Sequence, residues 1–167
     1  MSPRTVLLLF GLVAALGVSA ETFTLSAKPG QVNPKPLGTP SPRAALSASL
    51  QITHFKPSKK WPPAAYVGFF QGNSRDNSVQ FLVIRNRKKD RYVVAGYRIM
   101  EHGKEVKLVS LANLSIKGKA QLTMSIDHGL VTLKFPPQAP ITFRTNLTEV
   151  SPYVSVSSGT AKFSIGP

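Results

Sequence analysis

Polar and apolar side chains alternate with a period of two along most of this chain, and no segment after the first twenty residues keeps a helical period. A period of two places successive side chains on opposite faces of a β-strand. The run from Leu46 to Ile52 is a clear example, because its apolar residues alternate with serine and glutamine. The pattern predicts an all-β chain with ten short strands, near residues 22–25, 46–52, 66–70, 79–84, 92–100, 106–111, 122–127, 131–135, 154–156 and 163–165.

Turn-forming residues separate these runs. His102-Gly103 and His128-Gly129 have the composition of tight hairpin turns, since glycine readily adopts positive φ. Pro136 and Pro137 end another run, because proline cannot donate to a strand ladder. Short strands joined by regularly spaced turns predict an antiparallel two-sheet β-sandwich of jelly-roll type, with a barrel as the alternative.

Residues 1–20 have the composition of a secretory signal peptide. Arg4 precedes an apolar stretch over residues 6–16, and the small residues Ser19 and Ala20 follow at a cleavage site. The alternative, a membrane anchor, needs about 20 apolar residues, and this stretch is shorter. The sequence therefore predicts a secreted or periplasmic protein whose mature chain begins near Glu21.

Residues 21–43 are predicted to form a short strand and a proline-rich linker, and residues 44–167 the β-sandwich domain. Proline at high density favours an extended, polyproline-like tether over a strand ladder. The linker prolines are Pro29, Pro34, Pro36, Pro40 and Pro42.

Five segments between roughly residues 64 and 165 have a distinctive strand order and spacing: Tyr66–Phe70, Ser78–Asn86, Asp90–Arg98, Leu122–Phe135 and Tyr153–Ile165. In that order and spacing the chain resembles the concanavalin A-like lectin/glucanase superfamily. The resemblance implies a two-sheet jelly roll that binds carbohydrate on or beside its concave sheet. It carries over no functional residue, because the glucanase cluster of two glutamates around an aspartate is absent from the sequence. Of the lectin metal loop, only Asn73, Asp76 and Asn77 have counterparts.

No catalytic residue, metal ligand or cofactor site is therefore predicted. Glycosidases place two carboxyl groups across the scissile bond, and the nearest acidic pair, Glu101 and Glu105, flanks a predicted hairpin turn. The three histidines are scattered, and the chain has no cysteine. Zinc requires three or four converging ligands, so the histidines are interpreted as surface residues.

Four residues are candidates for ligand binding: Trp61, Gln80, Tyr92 and Arg98. Trp61 is the only tryptophan, and its flanking prolines place it in a loop, where an indole either stacks on a sugar ring or plugs the sandwich. The other three are polar or amphipathic residues among apolar strand neighbours. They either converge on one sheet as a sugar-binding set or are ordinary outer-face residues.

The chain is strongly basic, with a net charge of +14. Five basic residues fall in one predicted hairpin tip, and they are candidates for anion binding: Arg85, Arg87, Lys88, Lys89 and Arg91. A second basic cluster comprises Lys56, Lys59 and Lys60, beside Trp61. Such clusters attract phosphate, sulfate or carboxylate groups, although a solvated turn has the same composition.

The sequence as a whole favours an exported, non-catalytic domain that binds carbohydrate or cell-envelope glycan. The first alternative is electrostatic binding to polyanionic surfaces, including anionic membranes, without sugar specificity. The second is a glycosidase-like enzyme with an unrecognised site. Nucleic acid is not an expected partner, and the sequence does not define an oligomeric state.

Overall fold

The computed structural model describes residues 20–72 and 75–166. Within these residues the chain forms twelve β-strands and no helix. The strands are β1 Glu21–Ser26, β2 Val32–Pro36, β3 Arg43–Phe55, β4 Ala64–Phe70, β5 Ser78–Ile84, β6 Tyr92–Glu101, β7 Lys104–Ser115, β8 Ala120–Asp127, β9 Leu130–Lys134, β10 Ile141–Arg144, β11 Ser151–Ser157 and β12 Gly159–Gly166.

These strands build two six-stranded sheets. The first sheet has the order β1-β12-β3-β8-β9-β10, and the second has the order β2-β11-β4-β5-β6-β7. Every strand pairing is antiparallel. The predicted all-β architecture with two antiparallel sheets is confirmed, and all ten predicted strands are present.

The hydrophobic core lies between the two sheets and follows the alternation in the sequence. In β8, Leu122, Met124 and Ile126 are buried, while the alternating residues Gln121 and Thr123 are exposed. Fully burying a large apolar side chain stabilises the fold by roughly 1.5–3 kcal/mol. Both sheets contribute to one cluster, so the core holds them together as a sandwich.

The two His-Gly pairs form the hairpin turns that the sequence predicts. His102 and Gly103 have φ values of 50° and 76°, and His128 and Gly129 have values of 46° and 79°. Consecutive residues with positive φ define the turn type whose twist matches that of paired strands. These turns set the β6–β7 and β8–β9 registers.

The proline-rich segment differs from the extended tether that the sequence predicts. Its residues Val32–Pro36 form β2, which pairs with β11 at the edge of the second sheet. The Leu37 N–H then donates to the Pro152 carbonyl at 2.9 Å. An edge strand needs hydrogen bonds on one side only, and that position tolerates proline.

β10 was also missed by the sequence prediction, and it forms the opposite edge of the first sheet. The predicted signal peptide lies outside the described residues except for Ala20, so that prediction is untested. The described part of the chain contains no helix that is long and apolar enough to cross a membrane.

Candidate functional site

The second sheet is buried on both of its faces in its central strands. We call the face that points away from the first sheet its outer face. There Tyr66, Gln80, Leu82 and Tyr153 are buried, and Arg98 lies beside Gln80 in the β5–β6 register. Buried polar side chains require hydrogen-bond partners, so the contacts of these groups determine what the face can do.

Gln80 is fully buried, and its side-chain amide is held at both ends. Its Oε1 accepts a hydrogen bond from Arg98 Nε at 2.8 Å, and its Nε2 donates to Ser78 Oγ at 2.6 Å. The Ser78 hydroxyl in turn donates to the Arg75 carbonyl at 2.8 Å. This chain of bonds fixes the position of the Arg98 guanidinium on the outer face.

Arg98 makes two further contacts that orient its guanidinium. The guanidinium carbon lies 4.8 Å from the centroid of the Tyr66 ring, a distance at which a cation is attracted to the ring face. Its Nη1 lies 3.8 Å from Glu105 Oε2, and the Arg98 side chain is only 16% exposed. The remaining guanidinium N–H groups are therefore held in place at a partly open surface.

Tyr66 is itself anchored through its hydroxyl. The Ser157 hydroxyl donates its one hydrogen to the Pro62 carbonyl at 2.7 Å. Because Ser157 has no second hydrogen to give, the Tyr66 hydroxyl is the donor in its 3.4 Å contact with Ser157 Oγ. The ring beneath Arg98 is thus fixed at its far end.

These side chains line a groove of about 100 Å³ on the outer face. Its lining includes the charged pair Arg98 and Glu105, and most of the other lining residues are apolar. The groove is lined by Tyr66, Leu82, Ile84, Asn86, Val94, Gly96, Arg98, Glu105, Leu108, Val109 and Ser110. A concave surface with a few oriented polar groups among apolar side chains is the common form of a ligand site.

The structure brings together two of the four ligand-binding candidates. Gln80 and Arg98 are register partners and share a hydrogen bond. Tyr92 is 43% exposed and starts β6, six residues before Arg98, which at about 3.3 Å per residue is roughly 20 Å away. Trp61 lies half-buried in the β3–β4 loop, where its carbonyl accepts from Ser158 Oγ at 2.6 Å. Neither Tyr92 nor Trp61 lines the groove.

Sequence reasoning missed Tyr66, Leu108 and Ser110 as groove residues. Tyr66 lies in a run that is apolar on both faces, so its pattern gives no sign of a polar role. Glu105 was interpreted as a solvated hairpin residue, and its side chain is indeed 41% exposed. Its contact with Arg98 depends on the β6–β7 register, which has two irregularities.

Tyr153 shares the outer face but is not accessible. Its side chain is fully buried and contacts the Phe70 ring edge-on, with centroids 5.0 Å apart. Burial raises the pKa of the Tyr153 phenol well above its ordinary value, against the opposing charges of Arg75 and Arg98. This phenol therefore stays protonated and is closed to a ligand.

The basic hairpin tip joins β5 to β6, and its residues have different environments. Arg85 turns inward, with its guanidinium carbon 4.9 Å from the Phe55 ring centroid and its Nη2 donating to the Asp90 carbonyl at 3.0 Å. The other four basic residues of the tip, Arg87, Lys88, Lys89 and Arg91, are exposed. Arg85 therefore stabilises the conformation of the tip, and the other four basic residues place positive charge at its surface.

The groove contains one carboxylate, that of Glu105. Glu101 lies across the hairpin, where it lines a separate cavity with Gln71, Asn77 and His102. Within residues 20–72 and 75–166, no group of three or more His, Cys, Asp and Glu residues could hold a metal ion. The described groove can therefore bind through hydrogen bonds and apolar contact, with a single carboxylate at its wall.

No protein-family model matches this sequence, and no curated protein sequence matches it. Solved structures do resemble it. A carbohydrate-binding module, CBM66 from Bacillus subtilis, superposes with a TM-score of 0.55 at 12% identity, over 87% of this chain and 92% of the module. The carbohydrate recognition domain of Emp46p, in its metal-free form, gives 0.52 at 11% identity, over 89% of this chain and 85% of that domain.

An enzyme also shares the architecture. The PL7 alginate lyase AlyA1 from Zobellia galactanivorans gives a TM-score of 0.50 at 13% identity, and the match covers 75% of this chain and 60% of the lyase. At such identities the likeness shows the fold alone. The resemblance that the sequence predicted is confirmed at the level of the fold, and function has to be argued from the site.

Proposed function

We propose that this protein is a non-catalytic binding domain whose groove on the outer face of the second sheet binds carbohydrate. The observation that carries the proposal is the Arg98 guanidinium, which Gln80 holds at 2.8 Å and the Tyr66 ring supports from below. Because these groups are already ordered in the free protein, binding a ligand loses little side-chain entropy.

The chemistry of the groove suits a sugar ring. Arg98 offers N–H donors, and Glu105, 3.8 Å away, offers carboxylate acceptors. Sugar hydroxyls both donate and accept, so two neighbouring hydroxyls on one ring can use both groups. Leu108, which is 55% exposed, provides an apolar surface for the C–H groups of the ring. Similar folds named as a carbohydrate-binding module and a carbohydrate recognition domain support this assignment.

A non-catalytic role is supported by the acid–base groups around the groove. Hydrolysis of a glycosidic bond requires a pair of carboxyl groups, and among the described groove residues Glu105 alone has one. Of the two phenols on this face, Tyr66 is 2% exposed with its hydroxyl bonded to Ser157, and Tyr153 is fully buried. The lyase that shares the fold leaves a catalytic role as the competing interpretation.

The test is a glycan array at low and high salt, with Arg98→Lys compared with the wild type. Lysine keeps the charge but loses the planar donor fork. We expect glycan binding to weaken about ten- to a hundredfold, because a hydrogen bond to a charged group contributes roughly 1.5–3 kcal/mol. Arg144→Lys, on exposed β10 of the first sheet, is the matched control.

Equal binding by both variants and the wild type would contradict the groove assignment. A thermal melt of each variant shows whether any loss reflects unfolding. Incubation of the bound glycan with the protein, followed by an assay for new reducing ends and unsaturated sugars, tests the absence of catalysis. Product formation above the level of a buffer control would show that the protein is an enzyme.

A further inference from the structure

The β3–β4 loop and the basic hairpin tip, which are distant in the sequence, meet around one notch at an end of the sandwich. The notch has a volume of about 70 Å³ and lies between the β3–β4 loop and the hairpin tip at 85–91. Its polar lining comes from Ser58 on one side and from Arg85, Asn86, Arg87 and Lys88 on the other. Lys59 and Lys60, beside Ser58 in the first loop, are exposed.

The notch is a preformed site for a negative charge. Three cationic side chains line it, and no carboxylate does. Asp90, the one acid in the tip, accepts a hydrogen bond from the Arg87 backbone N–H at 3.0 Å, so the acid stabilises the turn of the tip. The resulting excess of positive charge draws anionic groups toward the notch.

Arg85 gives the notch a fixed donor. Its guanidinium is held by the Phe55 ring and by the Lys88 and Asp90 carbonyls, so it does not have to be ordered on binding. Because Arg85 also lines the notch, this fixed guanidinium is one of the groups that an anion there would meet.

The notch also adjoins the groove, because Asn86 lines both. Ile84 and Val94 continue the groove from Asn86 toward Arg98. An extended chain of sugar rings could therefore lie in the groove and place a substituent in the notch. This continuity distinguishes the notch from the many exposed lysines elsewhere on the surface.

We propose that the notch binds the anionic substituent, a carboxylate or a sulfate ester, of a polysaccharide that lies along the groove. The inference rests on the proposed carbohydrate-binding function for the position of the sugar chain. The expected ligands are acidic polysaccharides, which the notch would bind through charge-assisted hydrogen bonds from Arg85, Arg87 and Lys88.

The experiment measures dissociation constants for dextran, dextran sulfate and polygalacturonate, with phosphatidylserine vesicles as the competing surface. The notch variant is Arg87→Gln/Lys88→Gln, which removes two exposed charges. The matched control is Lys134→Gln/Lys162→Gln, which removes two exposed charges from the first sheet. We expect an acidic polysaccharide to bind more tightly than dextran, and the notch variant to weaken that binding at least about tenfold. The control should change it by less than about twofold.

The polygalacturonate and dextran sulfate arms show which anionic group is bound. Equal losses in the notch variant and the control would overturn the inference in favour of bulk charge. Binding to vesicles but to neither acidic polysaccharide would overturn it in favour of a membrane surface. If Arg98→Lys leaves every polysaccharide unaffected while the notch variant loses the acidic ones, the groove assignment fails: the notch then binds the anionic group, and the placement of the sugar chain along the groove is overturned. The reverse pattern leaves the groove assignment standing and overturns the notch.

Discussion

The outer faces of the two sheets are built from the same alternation but have different character. On the first sheet, short polar side chains such as Ser49 and Thr123 are half-buried or exposed, and hydroxyl contacts such as Ser26–Thr160 at 2.9 Å lie in solvent. On the second sheet, Gln80 and Arg98 are long, largely buried and bonded across strands. The difference is one of burial and not of side-chain length, because the short Ser78 and Ser157 of the second sheet are buried whereas the long Gln121 of the first sheet is exposed.

This difference shows that a polar sheet face is not by itself a binding site. Water competes for every hydroxyl on the first sheet, so a ligand gains little by replacing it. On the second sheet the protein has already oriented the donor and partly excluded water, which favours binding. The comparison can be tested by pairs of substitutions, in which the same change is made at one position in each sheet and the effects on stability are compared.

The largest effect is expected for Gly96→Ala, beneath the groove. A Cβ at this position would lie 2.2 Å from the Val109 carbonyl oxygen, whereas the nearest atom to a Cβ at Gly166, on the first sheet, is 4.0 Å away. Because the β6–β7 backbone must move apart, we expect the free energy of unfolding to fall by roughly 3 kcal/mol. Urea unfolding measures it, with Gly166→Ala as the control. Similar midpoints for the two variants would show that the strands beneath the groove are not tightly packed.

Gln80→Ala should have the next largest effect. It removes a buried amide that bonds Arg98 and Ser78, so we expect a loss of roughly 2 kcal/mol of unfolding free energy. Gln121→Ala, at an exposed position in β8, should change it by less than about 0.5 kcal/mol. Urea unfolding of both variants makes the comparison. If the two glutamines prove equivalent, the buried network does not distinguish the second sheet from the first.

The strand pattern was predictable because alternation of side chains directly reflects strand geometry. The two missed strands, β2 and β10, are both edge strands. β2 carries Pro34 and Pro36, which the sequence analysis took as incompatible with pairing, and an edge position removes that conflict. β10 is only four residues long and follows Pro136 and Pro137, which the sequence analysis took as the end of a strand.

Of the candidate site, the sequence predicted only the two residues that lie opposite each other on neighbouring strands. Gln80 and Arg98 were selected as polar residues in apolar strands, and the β5–β6 hairpin places them side by side. Tyr92 met the same criterion, but a pattern of period two does not fix a position along the strand. The meeting of the β3–β4 loop and the hairpin tip at one notch depends on how two loops pack, and no local pattern encodes that packing.

The smallest effect is expected on the first sheet, where Asp127 is held by exposed partners. Its Oδ1 accepts hydrogen bonds from His128 Nδ1 at 2.6 Å and Arg43 Nε at 2.9 Å, and these lower the pKa of Asp127 below its ordinary value of 3.8. A carboxyl with a lowered pKa stabilises the fold above its unfolded pKa, and that contribution is lost as the pH falls through the folded value. Solvent screening keeps the contribution small.

Replacement of the His128 ring should therefore raise the midpoint of Asp127 without measurably changing stability at neutral pH. We expect NMR titration of the Asp127 carboxyl to show a higher midpoint in His128→Gly, which keeps the positive φ of the turn. His102→Gly, in the equivalent turn of the second sheet, should leave the midpoint of Asp127 unchanged. An unchanged midpoint in His128→Gly would mean that exposed hydrogen bonds on the first sheet do not hold their partners. A loss of stability at neutral pH would mean that the exposed hydrogen bonds of Asp127 contribute measurably to folding. The first sheet would then differ less from the second in how much its surface polar contacts stabilise the fold.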